Sequence, residues 1–438
     1  LCLRQLPNSY HLGHSRLKRG TIMPQSKQDK NIERSWPKEG VIRVPAWIYS
    51  DPDIYARELE TFHYGDTWNY VGLDCEIEPG GYKRSWVGER PVLVTRTEDG
   101  EIHVMENRCA HRGAMLCWKN SGKAKDITCP YHHWAYNLGG DLMGLPFLRG
   151  AGGKGGMPRD FDKSKHGLTK LRVARRGGSI WATYSDDVPP LDDYLGPEIL
   201  ERLDRLVSRR PLRLVGYSRQ IVDSNWKLYW ENSRDPYHAT LMHPFLSTFG
   251  ILRTDGDYDS VPLQEGRHEY TFSRYNPELR NSTSEASRQI KSIRSDLEMR
   301  DKEVVNSVVD EFQDGMMGAF QVFPTILVQQ YFNCLVIRHI ILKGPGKHEL
   351  TWTYFGYADD DEQVRELRLK QSNLVGPAGF VSLEDSEMLA LMQPVVESRP
   401  DAEQVIEMGG HGTEAQSTMM TENLIRAFYD FYRREMGL

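Results

Sequence analysis

The apolar and polar positions of this 438-residue chain change period several times, and those changes outline its elements. Over 47–64, Ile48, Tyr49, Ile54, Tyr55, Leu59 and Phe62 recur at helical spacing and predict a short amphipathic lead-in helix. Short β-type runs follow at 68–73, 91–96 and 102–105, with Gly80-Gly81, Gly88 and Asp99-Gly100 as turns. Strands resume at 168–173 and 179–184, and Val188-Pro-Pro-Leu191 makes a natural boundary. Beyond it the pattern predicts a helix over 195–205, strands at 269–274 and 350–358, and one long β run over 325–342. It also predicts a charged helical face over 284–314 and helices starting at 362 and 417. Strands and helices are segregated rather than alternating, so the expected fold class is α+β with antiparallel sheets. The expected division is a disordered tail over 1–35, a lead-in helix over 36–65 packing on the last domain, a first domain over 66–186 and a second over 187–438.

Composition narrows the picture. Ten per cent aromatic and 26 % charged residues describe a globular chain, and a net charge of -6 gives no basic field for nucleic acid or an anionic membrane. No apolar run reaches the 18 or so residues of a membrane span. Six cysteines in so long a chain are no disulfide scaffold and point to a reducing, cytoplasmic setting.

Two constellations carry chemistry. Cys109-Ala-His111 and Cys129-Pro-Tyr-His132 each sit just past a predicted strand, and together they offer two thiolates and two imidazoles. A [2Fe-2S] cluster of Rieske type takes that set. Zinc takes the same ligand types, usually as a cysteine pair followed by a histidine pair, and the interleaved order here favours iron-sulfur. Cys117, between the loops, reads as packing. The glycine-rich run from Gly150 to Met157 lacks the order of a phosphate loop and reads as a surface excursion.

The second constellation is Asp235, His238 and His243. On an ideal helix His238 and His243 lie about 140° apart, so the turn between them must be distorted if they share an ion. Pro244 biases His243 out of the helical region. The plainer reading is that Asp235 caps a helix beside two ordinary histidines. An iron held by two histidines and a carboxylate needs one more ligand. Glu384, Asp385 and Glu387 follow a glycine-rich turn, and Asp385 is the choice among them; stabilisation of a helix N-terminus is the alternative.

These motifs, in this order, resemble the large, α subunit of the Rieske non-haem iron aromatic-ring-hydroxylating oxygenases from about residue 35 to the end. The family pattern Cys-x-His, Cys-x-x-His falls on Cys109, His111, Cys129 and His132, and Asp-x-x-His-x4-His on Asp235, His238 and His243. Its distal carboxylate falls on Asp385. The resemblance implies a Rieske antiparallel β domain followed by a helix-grip (START-like) sheet domain, with a [2Fe-2S] cluster, mononuclear Fe(II) and O2 as co-substrate. It implies a head-to-tail trimer in which Asp235 links His132 of a neighbouring copy to His238. It also implies a ferredoxin and its reductase, and either an α3 homotrimer or an α3β3 assembly with a small β subunit. The sequence itself shows no dinucleotide fingerprint after a strand, so electrons must come from outside.

The runs Asn225-Trp-Lys-Leu-Tyr, Gly376-Pro-Ala-Gly-Phe and Val405-Ile-Glu-Met-Gly-Gly look most like the branch acting on salicylate, anthranilate and terephthalate. If pairing over 325–342 is unbroken, Arg338 shares a face with Val328, Phe332, Val336 and Ile340. A guanidinium among apolar residues suits a carboxylate. A turn at Asn333 would instead flip the face and leave Arg338 solvated. Terephthalate-like relatives carry a second arginine where this chain has Met419, so a monocarboxylated ring is the expected substrate, with Met419 and Met242 in the pocket wall. A terephthalate-like dicarboxylate is the alternative. An extended Rieske electron-transfer protein or a zinc-stabilised module would leave the downstream ligands without a role.

Overall fold

The computed structural model describes residues 34–438 apart from 275–283, 285–289, 295, 313–315, 378 and 380; nearly all of the expected 1–35 tail lies outside the described residues. The lead-in helix is built in three steps. A 3-10 turn spans Ala46–Tyr49, an α-helix Pro52–Glu58, and a wide turn Leu59–His63. Asp51 caps the α-helix by accepting from the backbone N–H of Asp53 and Ile54, with Pro52 at the first helical position. Its apolar side packs Trp47, Ile54, Tyr55 and Phe62 into one core with Trp226, Trp230, Phe323 and Phe428.

Within that core Glu58, fully buried, accepts from Trp226 Nε1 at 2.8 Å, Lys227 Nζ at 2.7 Å and Tyr432 Oη at 2.5 Å. The Lys227 ammonium is equally buried. Removing one partner strands the other charge, so Glu58→Ala is expected to cost about 3–5 kcal/mol. The check is thermal unfolding: Tm should fall clearly in Glu58→Ala and recover in a Glu58→Met/Lys227→Met double variant.

The first domain is a seven-stranded antiparallel sheet in the order Asn69–Leu73, Ser179–Thr183, Lys170–Arg176, Ile102–Glu106, Arg90–Arg96, Gly81–Val87, Ser121–Lys123. A smaller three-stranded sheet joins Ile127–Thr128, Ala135–Tyr136 and Leu142–Gly144, and it carries the loop after Cys129.

The second domain is a seven-stranded antiparallel sheet in the order Leu212–Val222, His348–Tyr357, Cys334–Leu342, Ile326–Tyr331, Met316–Val322, His268–Arg274, Tyr258–Leu263. One face packs Val328, Leu335, Ile337 and Phe355 against Trp181 and the helices Leu191–Leu195 and Pro197–Val207. The other faces the helices Trp226–Asn232, Ser382–Ser398 and Asn423–Met436.

Two expectations are corrected here. The run over 325–342 is a hairpin, not one strand: Ile326–Tyr331 turns at Phe332-Asn333 into Cys334–Leu342, with Phe332 at φ 55°. Val328 therefore pairs with Ile337 on the face opposite Arg338, and Leu327 is the residue across from Arg338. The expected helix over 284–314 is also absent among the described residues, which hold only a 3-10 turn at Lys302–Val305. Its backbone is drawn off by the hairpin. Asn333 Oδ1 accepts from Val308 and Val309 N–H, and Gln330 Oε1 from Glu311 and Phe312 N–H. Side chains that satisfy backbone donors in this way compete with a helix for them.

Candidate functional site

The helix Pro236–Met242 starts on Asp235, whose Oδ1 accepts from Tyr237 N–H at 2.8 Å. The other carboxylate oxygen lies 3.2 Å from His238 Nδ1, so one side chain both caps the helix and faces the imidazole. His243 stands outside the helix at φ −104°, ψ 78°, and Pro244 opens the next short helix, Pro244–Thr248. That break removes the 140° mismatch and swings the two rings to 5.3 Å between centroids.

Asp385 enters from the first turn of Ser382–Ser398. Its Oδ1 lies 3.4 Å from His238 Nε2 and 3.2 Å from His243 Nε2. One ligand atom from each of the three residues falls within 4.8 Å of the others. His243 Nε2 is buried, and among the described residues it has no well-formed hydrogen bond beyond this approach to Asp385, an arrangement that is costly unless something else occupies the point of convergence. Burial alone would lower the pKa of His238, yet Asp235 and Asp385 raise it to about 10. Burial would raise the pKa of Asp385, and the two histidines instead hold it well below the usual carboxylate range. Two imidazoles and one carboxylate on one side of a cavity fit a mononuclear iron with open positions.

Two neighbours were not singled out in the sequence. Asn232 donates to Asp385 Oδ1 at 3.1 Å and lies 3.3 Å from His238 Nε2. Glu384 Oε2 sits 2.7 Å from His243 Nδ1, which turns Nε2 toward the convergence point. Glu384 stood in the acidic cluster, but nothing local distinguishes an oriented carboxylate from a solvated one.

The cavity runs from these ligands to the sheet, where Leu327, Gln329, Tyr331 and Arg338 form its wall. Arg338 is buried at 5 % exposure despite the turn at Asn333. Its Nη1 donates to Tyr229 Oη at 3.1 Å and its Nη2 to Gln329 Oε1 at 2.5 Å. Among the described residues it has no carboxylate partner, and its Nε has no acceptor. Met419 and Met242 do not line this cavity. Met419 is packed into the apolar core at 1 % exposure, and Met242 ends its helix, where the chain breaks direction at His243.

In the first domain the two loops repeat one backbone pattern. Cys109 N–H donates to Ala114 O and Gly113 N–H to Cys109 O; Cys129 N–H donates to Trp134 O and His133 N–H to Cys129 O. Both cysteines are buried at 1 % exposure. The His111 and His132 rings stand 4.7 Å apart, and the Nδ1 atom of each is buried without a partner among the described residues. Trp134 stacks on His111, and Tyr136 Oη lies 3.3 Å from Cys109 Sγ. Two thiols and two unpartnered imidazole nitrogens in paired loops fit a [2Fe-2S] cluster with mixed ligation. Cys117 is half-buried beside them, and burial pushes its thiol up to about 11.

Residues 67–152 match the Rieske [2Fe-2S] domain and residues 203–438 the ring hydroxylating alpha subunit (catalytic domain). The chain is 44 % identical over 408 residues to the large oxygenase component of salicylate 5-hydroxylase from Ralstonia sp, covering 92 % of this chain and 96 % of that one. It is 43 % identical to the anthranilate 1,2-dioxygenase large subunit of Burkholderia cepacia (94 % and 97 % covered). It is 39 % identical to the terephthalate 1,2-dioxygenase terminal oxygenase component subunit alpha 2 of Comamonas sp (90 % and 95 % covered). In fold it is similar to naphthalene 1,2-dioxygenase from Rhodococcus sp. bound to indole, with a TM-score of 0.74 at 23 % identity over 90 % of this chain and 94 % of that one.

Proposed function

This chain belongs to the ring-hydroxylating oxygenase α subunits, and we propose that it hydroxylates a monocarboxylated aromatic ring of the salicylate or anthranilate type. Members of this family use a Rieske [2Fe-2S] cluster, a mononuclear iron and O2. In this reading Cys109, His111, Cys129 and His132 hold the cluster, and His238, His243 and Asp385 hold the iron. Bound there, the two groups supply electron storage and oxygen activation that no side chain provides.

The protein's own part is positioning. Arg338 carries the substrate assignment: a buried guanidinium without a carboxylate partner faces the same cavity as the candidate iron ligands. A planar fork of this kind takes a carboxylate in two parallel hydrogen bonds and so fixes the ring relative to the metal end. Among the described lining residues Arg338 is the one arginine or lysine, which favours one carboxylate over two. Leu327, Phe272 and Met317 supply apolar wall for the ring. Arg338→Met is expected to lower kcat/KM for aromatic monocarboxylates roughly 100-fold, since it removes one partner of a desolvated charge pair. Arg338→Lys should recover little, because an ammonium lacks the fork. Unchanged kinetics in Arg338→Met would remove the assignment.

Electrons are assigned to a ferredoxin and its reductase, and their route to a crossing between copies in a trimer, with or without a small β subunit. Asp235 and His238 keep side-chain exposures of 19 % and 20 %, within reach of a neighbouring copy. Tyr131 and Phe147 stand exposed beside His132, and Leu383, Leu391 and Val395 along Ser382–Ser398, apolar surface that a ring of copies would bury. Among the described residues no helix is long and apolar enough to cross a membrane.

A further inference from the structure

Among the buried polar side-chain atoms of the cavity wall, His238 Nδ1 faces Asp235, His243 Nε2 faces Asp385, and Arg338 Nε and Tyr331 Oη have no hydrogen-bond partner among the described residues. The first two belong to the candidate iron site and the third to the carboxylate fork. Tyr331 Oη has no assignment. A phenol left unpaired at a buried position is costly, and the cost is relieved if a ligand supplies the partner.

Its place is defined by the hairpin. Leu327, Gln329 and Tyr331 alternate on the strand Ile326–Tyr331 and share the face that carries Arg338. Arg338 Nη2 reaches Gln329 Oε1, so the guanidinium sits at the position of Gln329. Tyr331 is the next residue on that face, roughly 7 Å further along the strand. Burial, only partly offset by Arg338, keeps the phenol protonated at neutral pH, so it can donate.

We propose that Tyr331 Oη is a second substrate anchor, which binds a hydroxyl ortho to the carboxylate held at Arg338. The inference rests on the monocarboxylate reading above and narrows it to 2-hydroxy aromatic acids. Two hydrogen bonds of about 2.8 Å and the short separation between a carboxylate and its ortho oxygen reach on the order of 8 Å, the scale of the spacing between alternate residues on one face of a strand. A para hydroxyl projects several ångströms beyond it, and an unsubstituted ring leaves the phenol unpaired.

The test is calorimetric binding of 2-hydroxybenzoate, benzoate and 4-hydroxybenzoate to anaerobic holoprotein, at matched iron and cluster content, for wild type, Tyr331→Phe and Arg338→Met. Wild type should bind 2-hydroxybenzoate roughly tenfold tighter than benzoate or 4-hydroxybenzoate. Tyr331→Phe should erase that preference by weakening 2-hydroxybenzoate alone, and Arg338→Met should weaken all three acids. If Tyr331→Phe weakens 2-hydroxybenzoate and benzoate equally, or neither, while Arg338→Met still weakens every acid, the ortho anchor is overturned and the monocarboxylate reading stands. If Arg338→Met binds all three as wild type does, the carboxylate assignment itself falls and the anchor with it.

Discussion

Asp385→Ala is expected to lose its mononuclear iron and all hydroxylated product while keeping the visible absorbance of the Rieske cluster. Among the described residues Asp385 contributes the one carboxylate oxygen within reach of both His238 Nε2 and His243 Nε2. Without it two imidazoles remain, and nothing on the helix Ser382–Ser398 replaces the charge, because Glu384 is engaged with His243 Nδ1. Losing an outer partner of a metal ligand typically costs roughly 10–100-fold in affinity, and losing the ligand itself should exceed that. The cluster loops extend from the two sheets of the first domain and have their own hydrogen bonds, so they should be unaffected. Iron analysis together with the cluster spectrum checks both halves. Iron retained at wild-type stoichiometry in Asp385→Ala would mean that the ligand set is wrong.

Asp235 is expected to give the opposite pattern: both metals present, little turnover. Its carboxylate faces His238 Nδ1 at 3.2 Å and is partly exposed, which suits a link between a neighbouring copy's His132 and the iron ligand. Its removal also deletes a helix cap, worth about 1 kcal/mol, so Asp235→Ala alone would confuse two effects. Asp235→Asn separates them. The amide oxygen can still accept from Tyr237 N–H, but it cannot hold two imidazole N–H groups as a charged carboxylate does. Stopped-flow oxidation of the reduced cluster by O2, with substrate present, should slow at least roughly tenfold in both variants, while only Asp235→Ala loses thermal stability. Wild-type oxidation rates in Asp235→Asn would leave Asp235 as a cap and nothing more.

What could be read from the sequence follows a physical division. The candidate ligands were legible because cysteine, histidine and aspartate at short fixed spacings state their chemistry locally, and the break at His243 was signalled by Pro244. Arg338 was singled out on an expected geometry that is wrong in detail: the strand turns at Phe332-Asn333, a pair with no glycine or proline to mark it. Arg338 stays buried because its own strand alternates correctly and because Tyr229 and Gln329 receive its donors. The charged stretch over 284–314 has helical composition, but Asn333 and Gln330 claim several of its backbone donors, a tertiary contact that no local pattern contains. Met419 failed for a related reason. Its place was inferred from where relatives carry an arginine, whereas here a neutral side chain at that position is absorbed into the core. Asn232, Glu384 and Tyr331 act through partners far off in sequence or through the lack of one, and only the assembled cavity reveals that.

The central claim, that this chain inserts oxygen into a monocarboxylated aromatic ring, is tested most directly by a single turnover. Purified protein with both iron sites filled, and with any small subunit it requires, is reduced anaerobically with dithionite. It is then mixed with one pulse of 18O-labelled O2 in the presence of salicylate, anthranilate, benzoate and terephthalate. The account predicts a labelled hydroxylation product from a monocarboxylate, and little or none from terephthalate. Labelled product from terephthalate alone, or from none of the four, would contradict it.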